Sequence, residues 1–174
     1  PSCAINSAKI FADPNKSSYL GKGPGIFTSK ILDRFPHHPK TEAIKLDDEV
    51  LREHFLTAVF TLADFDKVKR SIDLFQFHNR NKYLFMAFSP TINHEMGKLV
   101  ANISKMKKTD VLVDYYSLLL HIFEKYPNHA SHINTLMNIL SSYKRGLNKV
   151  KEQKYFQDLM KKYRLKTIPL STIK

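Results

Sequence analysis

The chain has 174 residues, of which 43% are hydrophobic and 25% charged, the balance of a folded globular protein and not of a disordered one. Its net charge of +12 points to acidic partners such as phosphate polyanions. Its single cysteine, Cys3, excludes an internal disulfide framework and fits a reducing compartment. The longest apolar stretch, 111–123, is broken by Asp114 and His121. It is too short and too polar to span a bilayer, and no apolar run follows a basic start as in a signal peptide. The expectation is a soluble, cytoplasmic protein with no membrane partner.

Residues 1–46 are punctuated by turn formers: Asp13-Pro14-Asn15, Gly21-Lys22-Gly23-Pro24-Gly25 and Phe35-Pro36-His37-His38-Pro39. Between them, 8–11 is predicted as a strand. Residues 26–35, with apolar side chains at 27, 31, 32 and 35, have helical spacing. So short a segment cannot make a core alone and reads as the edge of an α/β domain. From there the pattern is helix after helix. Asp47 or Asp48 caps a helix to about 65. A second runs over about 66–89 and stops at Pro90, which disfavours helix in the residue before it. A third covers 91–105. A fourth is capped by Thr109 and ends before Pro127. A fifth covers 129–145 and stops at Gly146, and a sixth covers 150–164. Short connections favour antiparallel neighbours. The predicted fold class is mainly α, an antiparallel helical bundle over 67–174. A short α/β fragment of an incomplete N-terminal domain, residues 1–66, precedes it.

Charge follows the same division. Residues 1–66 carry 8 Lys/Arg against 9 Asp/Glu, and residues 67–174 carry 20 against 7. From Lys144 onward, 10 basic residues face 2 acidic ones. A basic face concentrates phosphate polyanions and gains affinity by releasing their counterions. Within this stretch Lys144, Arg145, Lys149, Lys151, Lys154, Lys161, Lys162 and Arg164 are the expected RNA-binding cations. They alternate with Tyr143, Tyr155, Phe156 and Tyr163. Exposed rings stack on unpaired bases, but Phe156, Leu159, Met160 and Tyr163 have the spacing of a core stripe. For the rings the expectation is that this stripe forms the core and only the lysines face water.

Three other patterns bear on chemistry. His129 and His132 are one helical turn apart and His121 lies on the preceding helix. No cysteine or carboxylate is spaced to complete a zinc site, so they read as ordinary surface or helix-end histidines. The run 21–25 lacks the Lys-Ser/Thr of a phosphate loop and reads as a structural turn. His78, Arg80 and Lys82, in Phe77-His78-Asn79-Arg80-Asn81-Lys82, place polar groups inside an otherwise apolar helical pattern. A buried hydrogen-bond network and a ligand site are both open there.

The run from Phe77 through Lys82 to Phe88-Ser89-Pro90, followed by Met96-Gly97-Lys98-Leu99-Val100-Ala101, resembles the signature of the YbgA-type domain, long of unknown function. His132, Asn134, Leu136, Tyr143 and Lys144, then Tyr163-Arg164 and Ile168-Pro169-Leu170, extend the resemblance. The chain has Asn79, Phe88, Asn93-His94 and Met137-Asn138 where that family usually has Thr, His, Tyr-Arg and Gln-His. The first sixty residues resemble the C-terminal third of a TudS-like thiouracil desulfidase domain. The carriers are Pro1-Ser2-Cys3, Gly23-Pro24-Gly25-Ile26-Phe27, Phe35-Pro36, Leu51-Arg52-Glu53-His54-Phe55 and Val59-Phe60. The two domains occur fused in enzymes that remove sulfur from 4-thiouridine in tRNA. The resemblance implies a [4Fe–4S] cluster in the parent protein, with Cys3 as one ligand and the other two upstream of Pro1. It implies tRNA or other RNA as partner. It also implies a fragment that is inactive alone, in which the helical part binds tRNA. The alternative is a non-enzymatic basic helical module binding nucleic acid or a protein. No catalytic acid or base and no oligomeric state is implied.

Overall fold

The computed structural model describes the backbone of residues 8–11, 19–143 and 150–173, and the side chains of residues 21–142 and 152–173. The chain divides into two compact units, Pro1–Asp64 and Phe65–Lys174. The described residues are mainly helical, with seven α-helices and two short strands.

In the first unit, β1 (Ala8–Phe11) pairs antiparallel with β2 (Tyr19–Gly23). The 8–11 strand is as predicted, whereas β2 overlaps the segment expected to be a turn. Ala8 pairs with Gly23 and Ile10 with Gly21, and the ladder is irregular between Ile10 and Phe11. Gly21 sits there with φ of 138°, a conformation that side chains disfavour. The glycine thus serves a kinked strand. Helix α1 (Ile26–Arg34) follows Gly25. Its apolar residues do not form a buried stripe: Phe27 and Ile31 are exposed, and Thr28 is buried.

Helix α2 (Glu49–Phe65) is capped as predicted. Asp48 Oδ1 accepts the Leu51 N–H at 2.9 Å, satisfying one of the free donors of the first turn. Along α2, Ala58 and Leu62 are buried while Val50 and Val59 are exposed.

The second unit holds α3 (Ser71–Phe88), α4 (Pro90–Asn102), α5 (Lys108–Ile122), α6 (His129–Tyr143) and α7 (Val150–Arg164). Helix α3 packs against α4, α5 and α6, α4 packs against α5, and α7 packs against α6. The core is made by Leu74, Phe77 and Phe85 of α3, Met96 and Val100 of α4, and Val111, Tyr115, Leu119 and Ile122 of α5. Phe65 stacks on Tyr115 with ring centroids 5.5 Å apart and meets Phe77 edge-on, both preferred aromatic geometries.

Local chemistry sets the ends. Helix α3 starts at Ser71, five residues later than predicted. The Asp73 carboxylate accepts the N–H groups of Arg70 and Lys69 at 2.8 and 3.2 Å and pairs with the Arg70 guanidinium at 2.7 Å. These bonds, foremost that from the Arg70 side chain, pull the carboxyl down to about 2. The α3–α4 corner is built by Ser89-Pro90. Pro90 begins α4, and the Ser89 hydroxyl accepts the Ile92 N–H at 3.3 Å. Thr109 is not the cap of α5. The helix begins at Lys108 after extended Lys107, and the Thr109 hydroxyl bonds the Asp110 carboxylate instead. Helix α7 has the predicted span. Among the described residues, no helix is long and apolar enough to cross a membrane.

Candidate nucleic-acid interface

Helix α7 turns two chemically different faces outward and inward. Met160 and Tyr163 are buried and Phe156 and Leu159 half-buried, so the predicted core stripe forms. Lys154, Lys161, Lys162 and Arg164 are exposed. None of the four is ion-paired with another described residue, although Asp158 lies on the same helix. The Arg164 guanidinium reaches only the Met137 sulfur, at 3.8 Å. Lys151 is in the first turn of α7, with its side chain outside the described residues. Lys144, Arg145 and Lys149 lie wholly outside them, as does Cys3.

Tyr163 locks this helix to α6. His129 donates from Nε2 to the Tyr163 carbonyl at 3.0 Å, and its ring lies 4.3 Å from the Tyr163 ring. His132 Nδ1 pairs with the Tyr163 hydroxyl at 3.1 Å. The two histidines one turn apart therefore hold a tyrosine between them, which explains their spacing without a metal. Burial raises the Tyr163 phenol above its ordinary range, keeping it neutral and able to donate. The basic face is thereby displayed from an anchored helix.

The polar stretch of α3 separates into two sides. His78 is half-buried, and its Nδ1 pairs with the fully buried Tyr115 hydroxyl of α5 at 3.0 Å. Desolvation, helped by the nearby Lys82 charge, pushes the His78 pKa down. Burial pushes Tyr115 far up. The pair is a neutral hydrogen bond inside the core. Lys82 and Arg80 are exposed. Lys82 shares the His78 face, with its ammonium 4.8 Å from the Tyr83 ring centroid, whereas Arg80, two residues from His78, lies on another side of the helix. The Tyr83 hydroxyl donates to Ser142 Oγ at 2.9 Å, tying α3 to α6.

Sequence reasoning did not find Tyr115 or Ser142. The signal for Tyr115 was a phenol inside an apolar run, since a buried tyrosine hydroxyl seeks a partner. Only the lysines of α7 were expected to face water, whereas the structure also turns Tyr155 outward. Two positions that depart from the YbgA-type pattern are packed or bonded locally. Phe88 meets Phe123 edge-on at 4.9 Å, and the Asn138 amide donates to the Asn134 carbonyl at 2.9 Å. A family model described as "Protein of unknown function (DUF1722)" matches residues 82–174, over half of the chain. The match covers α4 to α7 and begins after His78. No curated protein and no solved structure matches the chain.

Proposed function

The chain belongs to the DUF1722 family of proteins of unknown function, and from that premise we propose that its helical unit binds RNA, with tRNA as the target class, through the basic face of α7. The observation that carries this reading is the row of exposed cations, Lys154, Lys161, Lys162 and Arg164, without ion pairs among the described residues, on a helix pinned by Tyr163. Phosphate contact releases condensed counterions and needs cations that are not already neutralised. Anchoring lowers the ordering cost of presenting them.

The resemblance of residues 1–66 to a TudS-like domain extends the proposal. In that reading the segment is the C-terminal part of a tRNA 4-thiouridine desulfidase, and the helical unit grips the tRNA whose thiolated base is presented to the catalytic half. The chain's own residues do not fit the implied iron–sulfur cluster. Cys3 is its only cysteine, and such clusters take thiolates from several. In that reading this chain contributes RNA binding and one cluster ligand, Cys3, and cannot hold a cluster by itself.

Titration of the purified chain against unmodified tRNA tests the reading. Binding at low salt that weakens steeply as salt rises is expected. No binding at low salt would overturn it. The exposed Ile72 and Phe75 on α3 favour a second reading, a non-enzymatic module that meets a protein. In that case the same titration gives no complex.

A further inference from the structure

Among the rings of the basic C-terminal helix, Tyr155 is set apart. It is 67% exposed, while Tyr163 is 6% exposed. It makes no ring contact or hydrogen bond with another described residue. A tyrosine left in water adds little to folding, and its helix propensity is below that of lysine or alanine. Its position is more informative than its exposure, because isolated surface aromatics are ordinary. Lys162 stands seven residues after it on the same side of the helix, and Lys154 is adjacent in sequence, both exposed. Two acids, Glu152 three residues before and Asp158 three residues on, also neighbour it on α7, and across the whole stretch from Lys144 the cations outnumber the acids ten to two.

We infer that Tyr155 is a stacking platform for an unpaired nucleotide, so that the α7 face selects single-stranded or looped RNA over continuous duplex. This deepens the RNA-binding reading and rests on it. In an A-form helix the bases are stacked on one another, leaving a lone protein ring no base face to meet. A loop or single strand offers base faces for stacking and a backbone for the lysines. The lysines contribute affinity to any RNA, and the ring contributes only where a base is free.

The test uses the full chain, a labelled 12-nucleotide single-stranded RNA, and the same RNA annealed to its complement, followed by fluorescence anisotropy. The single strand is expected to bind more tightly than the duplex. Tyr155→Ala should weaken single-strand binding on the order of 10- to 100-fold, the size of one base–aromatic stack, and leave duplex binding and the salt slope unchanged. Tyr155→Phe, which keeps the ring, should retain the affinity. Circular dichroism confirms the fold of each variant, which the exposure of the site favours. Equal binding of both RNAs together with an unaffected Tyr155→Ala variant would overturn the stacking role and leave the phosphate-binding reading standing. If neither RNA binds, the underlying reading fails as well.

Discussion

The His78–Tyr115 bond shows how one polar pair shapes the centre of the helical unit. Tyr115 is wholly buried between Phe65 and Phe77, and the His78 imidazole satisfies its hydroxyl. Tyr115→Phe removes one partner and leaves the other with a partly desolvated nitrogen, a loss on the order of 1–3 kcal/mol. Urea unfolding should show a lower midpoint with an unchanged slope. The pair also gives stability a pH dependence. The folded-state pKa of His78 is lowered, so the unfolded chain binds the proton first as pH falls. The contribution of His78 is fully present above the ordinary histidine pKa of about 6.5. It is lost as pH falls from there through the depressed folded value. In His78→Gln this part of the pH dependence, below about 6.5, should flatten, as read by thermal unfolding. Gly97 lies beside the ring, and a Cβ built there would stand 3.5 Å from His78 Nε2, an ordinary contact. Gly97→Ala is therefore expected to stabilise the protein by up to about 1 kcal/mol through helix propensity. A markedly lowered melting temperature would contradict that geometry.

At the scale of elements, the sequence was most legible where a signal is local. Asp48 begins α2 because its carboxylate reaches a first-turn N–H, and Ser89-Pro90 turns α3 into α4 by stereochemistry alone. It was least legible where two local readings compete. The glycines at 21 and 23 signal a turn, yet Gly21 serves an irregular strand whose partner is β1. Thr109 has the composition of a cap, but the helix is already under way at Lys108. The start of α3 was placed too early because the Asp73 carboxylate bonds back to the Arg70 N–H and fixes the first turn at Ser71. For the candidate site, the cation row of α7 was legible as charge and period. The Tyr163 anchor was not, because it joins residues 31 and 34 positions apart, beyond the reach of helical spacing. Tyr163→Phe should loosen that anchor. The loss of the bond to His132 is expected to lower stability by about 1 kcal/mol and to increase hydrogen exchange in α7 relative to α3. Equal protection of α7 in the variant and the parent would show that the hydroxyl does not hold the helix.

At the scale of the whole molecule, charge and family membership bear on function at different depths. The net charge of +12 predicts attraction to polyanions, and the DUF1722 match establishes kinship across 82–174 without an activity. What links them is the α7 face, where cations without carboxylate partners among the described residues sit on an anchored support. The most direct measurement is the tRNA affinity of the parent chain and of a Lys151→Gln, Lys154→Gln, Lys161→Gln, Lys162→Gln variant, each across a series of salt concentrations. Glutamine has a helix propensity similar to that of lysine, and circular dichroism should confirm an intact fold. The variant is expected to bind more weakly, with a log–log salt slope shallower by roughly one unit for each phosphate contact removed. An intact variant with the parent's affinity and slope would contradict this and place the RNA surface elsewhere on the protein.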